Sequence, residues 1–252
     1  MLAGVMDGAT ADTSATVHAM FAALQHDFPD LRATPQLLLV AGRSVFVQSV
    51  VAGTDAKTHR AIGVYAVEQL TFDDSDRIVE DDVYVDPTAV MGQRGALPEG
   101  VEVRPVVQAA SAGAPEVLVA SSNALETANA TVVRDWEAAI NAHDLDRALS
   151  FVGDDPVDSD AGIPVDLRGK KAVTQLYTHV LRDIPDYHRD VPNVYAIGKY
   201  VVAPGIKTGT WSGSPVRLHY LELIEVQGGK LVSVRRFYNT FAMGEQIERG
   251  AH

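Results

Sequence analysis

Phe28-Pro29-Asp30-Leu31 returns as Ile184-Pro185-Asp186-Tyr187, Gly42-Arg43 as Gly198-Lys199 and Gly53-Thr54 as Gly209-Thr210, all 156 residues further on. A shared offset of this kind fixes a domain plan before any single motif is read. Glu68 to Phe72 matches Glu222 to Val226 at 154, and Arg77-Ile78-Val79 matches Lys230-Leu231-Val232 at 153. The second copy therefore carries short deletions, which belong in turns.

Each copy reads in the same order. A helix over about 14–26, with Val17, Met20, Phe21 and Leu24 spaced for one face, has its counterpart over 169–182. An x-Pro-Asp turn ends each helix. Strands follow over 34–41, 44–53, 61–72 and 77–86, and again over 191–197, 200–210, 216–227 and 230–239. Gly42-Arg43 and Gly228-Gly229-Lys230 read as hairpin turns, so these strands are expected to pair antiparallel. Only the second copy has a further amphipathic helix, over 129–142, followed by a short one over 145–152 that Asp144 can cap. The expected plan is an abbreviated first domain (1–95), an Ala/Gly/Pro/Ser-rich linker (96–122) and a full second domain (123–252). Within that linker 101–108 and 116–120 are candidate edge strands.

Composition narrows the function. The 252 residues include 21 Lys+Arg and 33 Asp+Glu, a formal charge of −12, which would repel nucleic acid and anionic lipid. Residues 1–120 hold 7 of the basic and 16 of the acidic residues. With no apolar run near the roughly 20 residues of a membrane span and no secretory signal pattern, the expectation is a cytoplasmic protein with no membrane or nucleic-acid partner. The absence of cysteine excludes disulfides and thiolate chemistry. Gly-rich phosphate loops, H-E-x-x-H and G-x-S-x-G are all missing, and the eight His include no pair four apart, so a metal site would have to be assembled in three dimensions.

The copies' ends carry a resemblance. RIVEDDVYVDPTAVMGQRG (77–95) resembles the GKIvEhwdyfDp…QlG ending of SnoaL-like polyketide cyclases. WEAAINAHDLDRALSFVGDD (136–155), RGKKAVTQLYTHVLRDIPDY (168–187) and GGKLVSVRRFYNTFAMGEQIERG (228–250) are similar to other stretches of that family. It belongs to the nuclear-transport-factor-like superfamily of cone-shaped α+β barrels. The resemblance implies two such cones, each a curved antiparallel sheet wrapped around a long helix, joined as an intrachain pseudo-dimer, with further homodimerisation left open. It also implies a pocket inside each cone for a small apolar molecule. In such cyclases an acid on the last strand serves as general acid/base on a carbonyl compound, and isomerases, dehydratases and epoxide hydrolases are relatives. The expected function is a cofactor-independent lyase, cyclase or isomerase acting on an apolar, polyketide-like carbonyl compound; the alternative is a non-catalytic ligand-binding or association module.

Asp86 holds the family's acidic position in copy one. Strand alternation puts Tyr84, Asp82 and Glu80 on its face, so Asp86 is the candidate acid/base and Tyr84 its hydrogen-bond donor. The competing reading is that Asp86-Pro87 closes the strand and opens a turn. Copy two has Asn239 at that position, which can orient a ligand but not move a proton. His219 is then the alternative base. Candidate ligand-binding residues are Glu68, Trp136, Tyr177, His179, Trp211, Glu222, Arg235, Phe237 and Asn239, with Arg235, Phe237 and Asn239 on one face of the last strand and Arg236 and Tyr238 on the other.

Overall fold

Two hairpin corners set the strand pairing. Gly42 (φ +60) and Gly198 (φ +59) take the left-handed backbone that a tight reversal needs and that a Cβ disfavours. The protein is described by a computed structural model over residues 14–109 and 113–250; the side chains of 14–18 and Met20 lie outside it. Helix α1 (Ser14–Asp27) leads into strands β1 (Arg32–Ala41), β2 (Ser44–Thr54), β3 (Ala61–Phe72) and β4 (Ile78–Tyr84), then the short helix α2 (Pro87–Gln93) and strand β5 (Glu116–Val119). The first sheet has the order β4-β3-β2-β1-β5.

The second half begins with helices α3 (Ala124–Asn141) and α4 (Leu145–Ser150), strands β6 (Val152–Asp160) and β7 (Leu167–Arg168), and helix α5 (Lys170–Asp183). Strands β8 (His188–Asp190), β9 (Tyr195–Ile197), β10 (Tyr200–Trp211), β11 (Ser214–Gln227) and β12 (Lys230–Tyr238) and helix α6 (Thr240–Gly250) complete it. This sheet runs β7-β6-β12-β11-β10-β8, with β9 also on β10. The sheets are mixed rather than wholly antiparallel: β5 lies parallel to β1 and β6 parallel to β12.

Matching positions do matching work in the two sheets. Asp30 accepts from Thr54 N and Oγ1 at 2.6 and 2.9 Å; Asp186 accepts from Thr210 N and Oγ1 at 2.8 and 2.7 Å. Val47 faces Glu68 across one hairpin, and Ala203 faces Glu222 across the other.

Helix α3 starts five residues before the expected 129 because Asn123 and Glu126 form a capping box, which the apolar spacing alone did not reveal. Glu126 also accepts from Gly198 N at 2.9 Å, tying the helix start to the β9–β10 turn. Helix α1 departs from its expected apolar face: Leu24 packs inward beside Phe28, Phe21 is exposed, and Val17 and Met20 fall outside the described side chains.

The two sheets meet face to face. Leu37, Leu39, Phe46 and Val67 of the first interlock with Val202, Leu221, Leu223 and Phe237 of the second. The stretch expected to link them is strapped down: Val107 N donates to Gly63 O at 2.8 Å, Gln93 Nε2 donates to Arg104 O, and the Arg104 guanidinium reaches Asp166 Oδ1 at 2.8 Å and the Asp160 carbonyl. A second core lies where α3 and α5 cover the other face of the second sheet, around Trp136, Ile140, Val201 and Ile224.

Candidate functional site

Strand periodicity selects which side chains enter the second core. Successive residues of β11 alternate between its faces, so Val216, Leu218, Tyr220, Glu222, Ile224 and Val226 share the face turned to the helices. Tyr220 stands opposite Tyr238 and Glu222 opposite Arg236, which carries that face onto β12. Next, β6 adds Asp158 and Asp160, in register with Val234 and Arg236. On the other side Lys207 of β10 pairs with Arg189 of β8. Asn141, at the end of α3, braces β8 by accepting from Arg189 N at 2.8 Å and donating to Arg189 O at 2.7 Å.

The result is a buried network of charge. Glu222 Oε1 accepts from Arg189 Nη1 at 2.8 Å and from Arg236 Nε at 2.6 Å. Arg236 also donates to Asp158 Oδ1 at 2.6 Å and to the Tyr177 hydroxyl, and lies 3.7 Å from Asp160 Oδ2. The Arg189 guanidinium stacks over the Trp136 ring at 4.5 Å. Glu137 Oε2 sits 3.0 Å from Arg189 Nε, near enough for an ion pair but not aligned as a hydrogen bond. Six of these charged side chains, Glu137, Asp158, Arg189, Lys207, Glu222 and Arg236, keep less than a tenth of their surface.

Two neighbouring acids are driven apart. Burial pushes the Glu137 carboxyl well above the usual carboxylate range; Arg189 opposes this and the Glu222 charge reinforces it. Burial acts on Glu222 in the same sense, but Arg189 and Arg236 outweigh it and hold Glu222 below its ordinary value. Two adjacent acids whose proton affinities are pushed in opposite directions are the kind of arrangement that acid/base chemistry uses. Trp136 Nε1, Tyr220 Oη, Arg189 Nη2, Glu222 Oε2 and both Glu137 oxygens have no hydrogen-bond partner within the protein.

Of the residues expected from sequence, Glu222, Trp136 and Tyr177 are in this network. The others are elsewhere. His219 is on the opposite face of β11, exposed beside Arg217. The face of β12 expected to bind, Arg235 and Phe237, is the one turned to the first sheet: Phe237 fills the seam and Arg235 stacks on Tyr65 at 4.1 Å. Asn239 caps α6 through Ala242 N at 2.9 Å. His179 projects outward on α5, bonded to Gln175 O at 2.7 Å, and Trp211 packs edge-on to Tyr187 with ring centroids 5.9 Å apart. Glu68 stands on the helix-side face of the first sheet.

Asp86 lies at the start of α2, and burial raises its carboxyl against the hydrogen bonds it accepts. Its oxygens accept from Thr88 N at 3.1 Å and Ala89 N at 3.2 Å, capping α2, and from the Thr240 hydroxyl at the start of α6. A capping carboxylate has its lone pairs engaged by the helix start. Tyr84 points into the seam between the sheets, and burial pushes its hydroxyl well above the usual range. What sequence reading missed, Glu137, Asp158, Asp160, Arg189 and Lys207, came from elements not compared with one another. The available signal was Arg236, which alternation puts on the face of Tyr238.

Residues 133–234 match the model of the SnoaL-like domain. Comparison with curated proteins returned no match. Among solved structures, the chain is similar to a Catenulispora acidiphila protein of ketosteroid isomerase-like fold bound to trimethylamine (18% identity, 46% of this chain and 92% of that one, TM-score 0.44). It is also similar to an epoxide hydrolase of M. tuberculosis (19%, 50% and 92%, 0.45) and to a putative SnoaL-like polyketide cyclase of Shewanella putrefaciens (13%, 48% and 96%, 0.44). Within the second half of the chain, the stretch 133–234 is thus similar to the SnoaL-like domain.

Proposed function

We propose that the helix-covered interior of the second sheet is a small-molecule site that moves a proton on a carbonyl compound, as an isomerase, cyclase or lyase does, by carboxyl groups alone. The observation that carries this reading is the buried Glu137–Glu222 pair set against Arg189 and Arg236, with burial raising the Glu137 carboxyl and the two arginines lowering that of Glu222. Burying so many charges costs several kcal/mol per ion before pairing, and apolar side chains of like volume would serve stability at least as well. Perturbed acids concentrate at functional sites.

In this reading Glu222 takes a proton from the carbon beside the carbonyl, while Glu137 donates one to the carbonyl oxygen. Arg189 and Arg236 offset the negative charge that develops; the proton on Glu222 is then delivered to a new carbon while the enol hydroxyl gives its proton back to Glu137, which re-forms the carbonyl and restores both acids. The unpartnered Trp136 Nε1 and Tyr220 Oη are donors available to a polar end of the substrate. Asp86, Tyr84 and His219 have no part in this scheme. The cytoplasmic setting and the tandem origin of the two halves are part of the same proposal; among the described residues no helix is long and apolar enough to cross a membrane.

A second reading, a ligand-binding or association module, is favoured by how tightly the interior is filled: Glu222 is 0% and Arg189 2% exposed. Proton exchange separates the two. A panel of small cyclic ketones incubated with the protein in heavy water is expected to take up deuterium beside the carbonyl, followed by proton NMR. Glu222→Gln should slow uptake by roughly 10²–10⁴-fold, the usual contribution of a positioned base. Uptake no faster than in buffer across the panel would sink the catalytic reading and leave the binding one.

A further inference from the structure

The first sheet repeats the second in register but lacks its cover. Val45 faces Leu70 as Val201 faces Ile224, and Val47 faces Glu68 as Ala203 faces Glu222. In the second sheet Val201, Ala203, Glu222 and Ile224 are all 0% exposed, beneath the α3 side chains Val133, Trp136 and Ile140. Among the described residues, no helix of the first half corresponds to α3. Only one end of that face is covered, where Ile62, Val64 and Ala66 meet Phe28 and α2.

The remainder is an apolar strip across all five strands. Val117 and Val119 of β5 stand beside Leu38 and Val40 of β1, and Val45 and Val47 of β2 lead to Leu70 of β3 and Val83 of β4. Val83, Val117 and Val119 are 44, 57 and 65% exposed. Helix α1 shows the same gap from its side: Phe21 is 55% exposed, whereas Tyr177, 156 residues on, is 5% exposed within the helix-covered core. A sheet face with three exposed valines, next in sequence order to a helix with an exposed phenylalanine, exceeds the scattered apolar exposure of an ordinary surface.

Charge says what kind of helix fits. In the second sheet the residue opposite Glu222 on the neighbouring strand is Arg236, and Arg189 approaches from the other side. In the first, the residue opposite Glu68 is Val83, and the charged group next to Glu68 is another acid, Asp81. Burial and this mutual repulsion raise the Glu68 carboxyl, and burial raises Asp81. An acid pair set in an apolar strip, within a half of the chain that carries most of its net negative charge, has no cation acting on it among the described residues.

We propose that this face of the first sheet docks an amphipathic helix of a partner protein, lying where α3 lies on the second sheet and carrying a lysine or arginine in its apolar face against Glu68 and Asp81. The recognition is of the helix-in-groove kind. It is independent of the acid/base reading, since it uses neither Glu137 nor Glu222 in the protein and is measured without turnover.

The probe is a fluorescein-labelled peptide of residues 123–142 in which Glu137→Lys places a cation at the position that meets Glu222 in the second half. Titrated with the full chain and read by anisotropy, it is expected to bind saturably, and at least tenfold more tightly than the unaltered peptide. Val119→Asp, at an exposed position that leaves the fold intact, should weaken binding at least tenfold, and so should Glu68→Gln together with Asp81→Asn. Absence of binding by either peptide overturns the proposal, as does binding that Val119→Asp leaves unchanged, since the peptide would then be elsewhere. A concentration-dependent dimer in sedimentation that Val119→Asp converts to monomer would overturn it in favour of a second copy of this chain.

Discussion

Asp86 and Asn239 hold the same post, the residue after a last strand that caps the next helix, and there a carboxylate and an amide are interchangeable because the helix start needs only an acceptor oxygen. Conversely, Glu222 became a site residue through the arginines it meets, not through its own identity. Lys207 makes the same point from the basic side. Its amine lies over the Tyr238 ring at 3.1 Å, and burial pushes it down to about 8, against the pull of Asp160. A lysine that binds its proton less firmly folded than unfolded costs stability below pH 8, and that cost is relieved as pH rises from about 8 toward the ordinary lysine value, because only the unfolded chain still holds the proton. Lys207→Met is therefore expected to be more stable than the parent at pH 7, by about 1–3 kcal/mol, with the gap closing by pH 10. Urea unfolding at several pH values measures it; an unstable variant at pH 7 would mean that the ion pairing outweighs burial.

Elements in this chain are held by backbone contacts as much as by apolar faces. Strand β3 shows this at Gly63, which accepts from Val107 N and from which a Cβ would run into the Val107 carbonyl. Gly63→Ala should push the strap of residues 101–108 off the sheet edge at a cost of about 1–3 kcal/mol, typical of overpacking. Faster proteolysis in that stretch, with the sheet otherwise intact, is the expected sign; an unchanged digestion pattern would show that the strap holds by Arg104 alone. The strands and the long helices were legible from period and turn residues. The start of α3 was not, since a capping box depends on two side chains three apart whose value appears only when the backbone reaches them.

At the scale of the molecule, the halves are joined by a seam of apolar side chains, and position relative to that seam sets what a substitution costs. Phe46 is 2% exposed in it and Phe21 55% exposed outside. Phe46→Ala is expected to cost about 3–5 kcal/mol and Phe21→Ala within about 0.5 kcal/mol; denaturant midpoints check both, and equal costs would show that Phe21 is covered in solution. The sequence by itself determined the strands with their hairpin turns and the α+β class, because periods of 2.0 and 3.6 and the turn glycines are local facts. Only the tertiary structure decided which face of each strand is inside. Period two offers both faces equally, and the choice falls to whatever packs there: α3 and α5 on Arg236 and Glu222, the other sheet on Phe237 and Tyr84, and, among the described residues, no helix on Val83 and Val119.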